Sequence, residues 1–243
     1  MRYGIGIDTG GTYTDAVLYC FDTRTVTAKA KALTDRGNLS GSIDSALRGL
    51  PEACFAEVSS VAISTTLATN ACVEGKGGRA HLLLVGASEK LLQKVDAARR
   101  YGLNTGDVLC VDGRATFDGK DAEQVDWDAV VAAHPDFFRE ADALCVAAMN
   151  AVRNGGIHEI SAQAALSSRF PVPFVRAGEL VDGLNVFERG ATALLNARLL
   201  PLIREFMDSV QAQLDRRGIA CRYMTVRSDG SLMGQDTALQ KPV

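Results

Sequence analysis

The first fifteen residues constrain this chain more than any other stretch. Tyr3-Gly4-Ile5-Gly6-Ile7 alternates apolar side chains with glycine, Ala16 to Phe21 is a second apolar run, and Asp8-Thr9-Gly10-Gly11-Thr12-Tyr13-Thr14-Asp15 lies between them. A strand, a Gly-Gly turn and a return strand predict a β-hairpin whose tip carries only small polar groups. Gly10 and Gly11 permit positive φ and close backbone approach, so successive amide N–H groups can converge on a phosphate, with the Thr12 and Thr14 hydroxyls as further donors. Asp8 would repel a phosphate, so its place here makes sense if it holds a hydrated Mg²⁺ or orients a water or hydroxyl nucleophile. A bare Gly-Gly is ordinary turn chemistry. The full Asp-x-Gly-Gly-Thr-x-Thr-Asp string is what points to a phosphate loop.

At 243 residues with 47% hydrophobic content, the chain can bury a substantial core. A net charge of −3 with scattered Lys and Arg leaves no electrostatic footprint for nucleic acid or an anionic membrane. Six cysteines are dispersed through apolar runs without any Cys-x-x-Cys, and there are three histidines. This pattern reads as a reduced, cytoplasmic protein with buried core thiols rather than a disulfide framework or zinc site. No apolar run approaches the ~20 residues of a membrane span, and the N-terminus enters a strand with no signal peptide before it.

Along the chain, Thr25 to Ala32 predicts a third antiparallel strand, and Leu39 to Leu50 a helix with Ser40 or Ser42 as its cap. Val58 to Ile63 is a strand that runs into the hydroxyl-rich Ser64-Thr65-Thr66-Leu67-Ala68-Thr69-Asn70-Ala71 and the first turn of a helix. A strand end feeding a helix is a favoured ligand position. Thr65, Thr66, Thr69 and Asn70 exceed what one helix cap needs, so Thr65, Thr66 and Asn70 are candidate substrate contacts.

After a glycine-rich break at 75–78, the continuous apolar run Ala80 to Val85 predicts a central parallel strand. A helix near Ser88 to Tyr101, a strand at Val108 to Val111 and a hairpin tip at Phe117-Asp118-Gly119-Lys120 follow. Helices near 127–133, 136–141 and 159–168 alternate with strands at 143–148 and 172–176. Together these predict one mixed sheet, antiparallel at its start and parallel afterwards. Leu184 to Arg217 is periodic but holds Pro201, which predicts a kinked helix or two helices, stopped by Gly218. A strand at 221–226 follows, and the chain reaches Val243 with no closing helix or strand. Glu188-Arg189 reads as an exposed or helix-anchoring ion pair, and His158-Glu159 as a helix start with an acidic first turn.

Gly6 to Asp15 resembles the first phosphate loop of the actin, hexokinase and Hsp70-like ATPase superfold. Thr-Tyr-Thr-Asp after the glycines most resembles the hydantoinase/oxoprolinase family. Ser64 to Ala71 is similar to that family's Gly-Thr-Thr-x-Ala-Thr-Asn-Ala block. Val186-Phe187-Glu188-Arg189 with Thr192 and Asn196-Ala197 is similar to its Tyr-Glu-Arg…Thr…Asn-Ala helix, and Arg227 to Ser231 to its Gln-Ser-Asp/Asn-Gly-Gly turn. Ile63-Ser64 stands where His-Gly is usual, so any substrate role of that His is absent.

The resemblance implies an α/β fold opening βββαβα, the first half of an actin-like, ribonuclease H-like ATPase fold. It implies an N-terminal domain over 1–180 and, over 181–243, the opening of a second, hydantoinase A-type domain. No second phosphate loop is visible, so the chain reads as the N-terminal part of a longer protein. The implied activity is ATP- and Mg²⁺-dependent hydrolysis of cyclic amides such as hydantoin or 5-oxoproline, with a second subunit or domain of the B type. Asp8 is then catalytic and a Mg²⁺ ligand through water, Gly10, Gly11, Thr12 and Thr14 hold nucleotide phosphate, and Thr65, Thr66 and Asn70 face substrate. Alternatives are a subunit of an ATP-dependent ketone carboxylase, a small-molecule kinase or ATP-gated activator of the same superfold, and a structural role.

Overall fold

The computed structural model describes residues 1–35, 37–227 and 229–240, the side chains of 239 and 240 excepted. The chain forms two compact units, Met1–Gly75 with Leu202–Val243, and Lys76–Pro201. These units cut across the sequence segments 1–180 and 181–243, which follow motif content rather than compactness.

In chain order, the first unit begins with β1 (Tyr3–Thr9), β2 (Tyr13–Cys20), β3 (Thr25–Leu33), α1 (Leu39–Arg48), a 3₁₀ turn (Glu52–Glu57), β4 (Val58–Thr65) and α2 (Leu67–Glu74). The second unit holds β5 (Ala80–Val85), α3 (Glu89–Lys94), α4 (Ala97–Tyr101), β6 (Val108–Val111), α5 (Trp127–Ala133) and α6 (Pro135–Arg139). It continues with β7 (Ala143–Ala148), α7 (Ala151–Asn154), α8 (Ile157–Leu166), β8 (Phe174–Arg176) and α9 (Ala177–Leu180). Helix α10 (Val186–Arg216) gives its residues up to Pro201 to the second unit and those from Leu202 to the first. β9 (Tyr223–Val226), β10 (Leu232–Gly234) and α11 (Gln235–Gln240) complete the first unit.

The first unit's sheet runs β10-β9-β4-β1-β2-β3. β1, β2 and β3 form an antiparallel meander, while β4 is parallel to β1 and β9 parallel to β4. The period-two alternation of the hairpin decides which side is buried. Ile5, Ile7, Ala16, Leu18, Val61 and Ile63 turn to one face, where Ile43 and Leu47 of α1 and Phe206, Met207 and Val210 of α10 cover them. Leu47 is fully buried, and burial of such a side chain contributes about 1.5–3 kcal/mol. Gly6, Asp8, Asp15 and Ser64 alternate onto the opposite face.

The second unit has a separate parallel sheet, ordered β6-β5-β7-β8. Every residue of β5 and β7 is buried. Leu82, Leu84, Cys145 and Ala147 enter one core, and Leu83, Val85, Leu144 and Val146 another. Apolar cover on both faces is why these strands read as unbroken apolar runs.

Several expectations need correction. There are two sheets rather than one. The cap of α1 is Asn38, whose Oδ1 accepts the Gly41 N–H at 2.9 Å, not Ser40 or Ser42. The helix expected over 88–101 is two helices, parted where Asp96 takes φ +51°. Residues 112–126 form no hairpin; a Gly119 N–H to Thr116 C=O bond closes a turn instead. Of the two readings of 184–217, two helices is the one set aside: α10 is one 31-residue helix with Pro201 inside it, and Gly218, at φ +68°, follows its end as expected. β10 and α11 occupy the stretch where no closing element was expected. Of the six cysteines, only Cys20 and Cys145 are buried and the others are half-buried. Among the described residues, no helix is long and apolar enough to cross a membrane.

Candidate functional site

β1 and β4 run parallel and finish together, with Thr9 opposite Thr65 and Asp8 opposite Ser64. Across the hairpin, Asp8 lies opposite Asp15, and Asp15 opposite Lys31. Strand alternation therefore lines up Ser64, Asp8, Asp15 and Lys31 on one face and Thr65, Thr9 and Thr14 on the other. Asp8 is exposed, and no side chain among the described residues bonds to it. Asp15 lies 3.3 Å from Lys31 Nζ, which sits 4.6 Å from the centre of the Tyr13 ring.

The loop between the strands is held from inside. The Gly10 N–H donates to the Tyr13 carbonyl at 3.0 Å, and the Thr34 N–H to the Thr12 carbonyl at 2.9 Å. The Thr14 hydroxyl, fully buried, is 2.9 Å from the Thr34 hydroxyl. Neither Gly10 nor Gly11 is among the glycines with positive φ. At Gly10 the lack of a side chain matters for closeness, since a Cβ would sit 3.3 Å from the Tyr13 carbonyl oxygen. The expected ring of donors is thus reduced in this structure. Gly10 uses its N–H in the turn, Thr14 braces the loop from beneath, and Thr12 remains exposed at the tip.

The hydroxyl-rich turn after β4 is tied to this loop by the Thr66 N–H, which donates to the Thr9 carbonyl at 3.3 Å. Thr65 does serve as a helix cap, its Oγ1 accepting the Leu67 N–H at 3.1 Å. Thr66 occupies the N-cap position of α2 but makes no side-chain cap bond; its Oγ1 instead accepts Asn70 Nδ2 at 3.1 Å.

Thr65 and Thr66 line a cavity of about 380 Å³, walled by Ile203, Phe206 and Met207 of α10, Thr225 and Arg227 at the end of β9, and Met233 of β10. Asp8, the glycine loop, Thr14 and Asn70 are not part of its lining. The α10 contributors and Thr225 had no signal in the sequence, and Arg227 only its place in the turn that resembles a family motif, because they reach the cavity only through the pairing of Val61–Ile63 with Tyr223–Thr225. Ser228, within the expected turn after β9, lies outside the described residues.

In the second unit, Arg189 does not pair with its neighbour Glu188, which is exposed. Its Nη1 lies 3.2 Å from Glu159 Oε1, and its Nη2 donates to the Ala148 carbonyl at 2.6 Å. Glu159 also accepts the N–H groups of Ala148 at 3.0 Å and Gly178 at 2.8 Å. This is the helix-anchoring role, with a partner the local sequence did not indicate. His158 is buried with Nε2 3.3 Å from the Arg114 carbonyl.

No group of three or more His, Cys, Asp or Glu among the described residues could enclose a metal. One exposed carboxylate beside a hydroxyl-bearing loop does suit Mg²⁺, which keeps several waters and takes few protein ligands. The donor set therefore fits a hydrated Mg²⁺ and not a dehydrated, protein-caged ion.

A sheet ordered β3-β2-β1-β4-β9, antiparallel then parallel, with a glycine hairpin at the end of β1, defines a ribonuclease H-like α/β unit, half of an actin-like ATPase fold. The chain belongs to the hydantoinase/oxoprolinase family: residues 4–170 match the hydantoinase/oxoprolinase N-terminal region, and residues 189–243 the hydantoinase/oxoprolinase domain. It is 27% identical over 252 aligned positions to the caprolactamase subunit alpha of Pseudomonas jessenii, covering 95% of this chain and 36% of that protein. The crystal structure of the ATP-dependent caprolactamase from Pseudomonas jessenii superimposes with a TM-score of 0.72 at 24% identity, over 95% of this chain and 36% of that one. The nucleotide-free structure of acetone carboxylase gives 0.77 at 16% identity, over 99% of this chain and 38% of that one. The chain thus spans about a third of the length of the curated relative it matches.

Proposed function

We propose that this chain is the N-terminal part of an enzyme that opens cyclic amides, of hydantoin or 5-oxoproline type, at the expense of ATP. The observation that carries this reading is the Thr66 N–H to Thr9 carbonyl bond, which sets a glycine loop and a hydroxyl-lined cavity side by side at the ends of parallel strands. A relative that is an ATP-dependent caprolactamase, and whose matching chain is a subunit, supports the cyclic-amide class and a partner subunit, which this reading takes to be of the B type.

In this reading the Gly10-Gly11-Thr12 tip faces the nucleotide phosphates, and Thr14 keeps that tip in place through Thr34. Asp8 holds a hydrated Mg²⁺ or orients the attacking water from the loop's shoulder. Thr66 faces the ring. Asn70 Nδ2 fills one acceptor position on the Thr66 hydroxyl, whose own proton is left to donate to another partner such as the ring. ATP bound here supplies a phosphoryl group for the ring carbonyl oxygen, which overcomes the amide resonance that otherwise protects the bond.

The test is to supply the intact protein with hydantoin, 5-oxoproline or a simple lactam and follow ADP release and ring opening together. Ring opening that requires ATP supports the proposal. ATP consumption that depends on a ketone and bicarbonate, and not on any cyclic amide, would replace it with the carboxylase reading.

A further inference from the structure

β6 is one edge of the second unit's parallel sheet, paired only with β5. The Leu82 N–H donates to the Asp107 carbonyl at 2.8 Å and the Gly86 N–H to the Val111 carbonyl at 2.9 Å, so the odd-numbered residues of this strand turn their backbone groups toward β5. Strand alternation then points the N–H and C=O of Cys110 away from the sheet. Neither group has a partner among the described residues. An edge with unpaired backbone groups is a template for one more strand.

Beside this edge lies a groove of about 450 Å³ between β6 and α5. Leu109, Val130 and Ala133 give it apolar surface, while Asp112, Glu123 and Asp126 bring three carboxylates to it. No lysine or arginine is among the described residues that line it. Asp126 caps α5 by accepting the Ala129 N–H, and Glu123 meets Arg114 at 3.3 Å with both side chains exposed, whereas Asp112 makes no hydrogen bond or ion pair with a described residue. A second copy of β6 is a poor occupant, because pairing edge to edge would bring the two sets of carboxylates together. A basic strand is the complement of such a rim.

We propose that the open edge of β6 and this groove take an extended, lysine- or arginine-bearing segment of a partner polypeptide, which adds to the sheet as the next strand beyond β6. Backbone bonds to Cys110 supply the pairing, and alternate side chains of the incoming strand reach the groove and its carboxylates. The inference goes beyond the functional reading above and does not depend on it.

The probes are a short peptide alternating lysine with valine, the same peptide with glutamate in place of lysine, and two versions of the lysine peptide N-methylated on one or the other alternate set of backbone nitrogens. Each is titrated into the intact protein by fluorescence anisotropy. The wild type should bind the lysine peptide roughly tenfold more tightly than the glutamate peptide. One N-methylated set should abolish binding and the other should not, because only alternate N–H groups face the sheet. The Cys110 amide should exchange with deuterium more slowly once the lysine peptide is bound. Cys110→Pro removes the outward donor, a change that an edge strand tolerates, and should abolish binding. Asp112→Lys should weaken the lysine peptide roughly fivefold with unfolding unchanged.

No binding of the lysine peptide, equal binding of the lysine and glutamate peptides, indifference to both N-methylations, or full binding by either variant would overturn the proposal. A Cys110 amide already protected in the intact protein without peptide would overturn it too, by showing that the protein's own chain covers the edge. A dimer that Cys110→Pro disperses would replace the partner strand with a second copy. If Cys110→Pro fails to fold, Asp112→Lys and the N-methylated peptides decide.

Discussion

Arg189 Nη1 and Glu159 Oε1 meet at 3.2 Å with neither side chain more than 2% exposed. The pair joins α10 to α8, and through the Ala148 and Gly178 backbone it also holds the end of β7 and the start of α9. Removing one partner of a buried pair strands the other's charge in a low-dielectric interior, at a cost of about 3–5 kcal/mol. Arg189→Met should therefore lower the unfolding free energy by that amount, measured by urea denaturation. Glu159→Gln/Arg189→Met should lose less than the sum of the two single variants, because no isolated charge remains. A loss below about 1 kcal/mol for Arg189→Met would show that the pair is not holding these elements.

Asp8→Asn tests the loop. Asp8 is exposed and bonded to no described side chain, so the substitution should leave thermal unfolding unchanged. If Asp8 positions Mg²⁺ or the attacking water, turnover of the intact enzyme should fall by about 10²–10³-fold, the usual effect of losing one well-placed charged group. Steady-state rates near those of the wild type would remove Asp8 from the mechanism.

The hairpin, the parallel central strand of the second unit and the turn after β4 were legible because each is a local pattern: period-two alternation, an unbroken apolar run, a cluster of hydroxyls. The inward placement of Thr14 was legible in principle, since it continues the buried series Ala16, Leu18 and Cys20. The phosphate-loop resemblance drew attention to its hydroxyl instead. The division into two sheets was hidden because β4 and β5 are both apolar runs, and only the pairing of β4 with β9 reveals that the intervening residues form a unit of their own. The same long-range pairing brings Phe206, Met207 and Arg227 to the cavity. Arg189 was misleading for a related reason, since Glu188 is adjacent in sequence while Glu159 is adjacent in space.

Tyr223 should make the protein lose stability in alkali. Burial pushes its hydroxyl up from 10.0 to about 12, with a hydrogen bond from Gln235 opposing the shift, and its O–H donates to the Met207 carbonyl at 3.0 Å. A folded value above the unfolded one means that the contribution is complete below about 10 and fades as the pH climbs toward about 12. Tyr223→Phe should start less stable, having lost the bond to Met207, but should decline less steeply across that window. Denaturant midpoints taken at intervals of pH for the two proteins isolate this group, because the remaining tyrosines and lysines are common to both. Parallel curves would mean that Tyr223 ionises as freely in the folded protein as in the unfolded one.

The 243-residue chain taken alone should fold yet hold Mg·ATP only weakly. Of the donors expected at the hairpin, the Gly10 N–H is bonded to Tyr13 and the Thr14 hydroxyl is buried against Thr34, while the Thr12 hydroxyl is exposed. A hydrogen bond to a charged group contributes about 1.5–3 kcal/mol net. Two or three such bonds to phosphate must offset at least ~4 kcal/mol of lost translational and rotational freedom. The balance lies near or above the millimolar level, where the binding free energy is about −4 kcal/mol. The 380 Å³ cavity does not reach the loop, so it adds nothing to the loop's hold on the phosphates. Cooperative thermal unfolding of the isolated chain establishes that it is folded, and a calorimetric titration with Mg·ATP then reads the affinity. A micromolar dissociation constant would mean that these residues already contain a complete nucleotide pocket, and the proposal that the loop supplies only part of the nucleotide's contacts would fall.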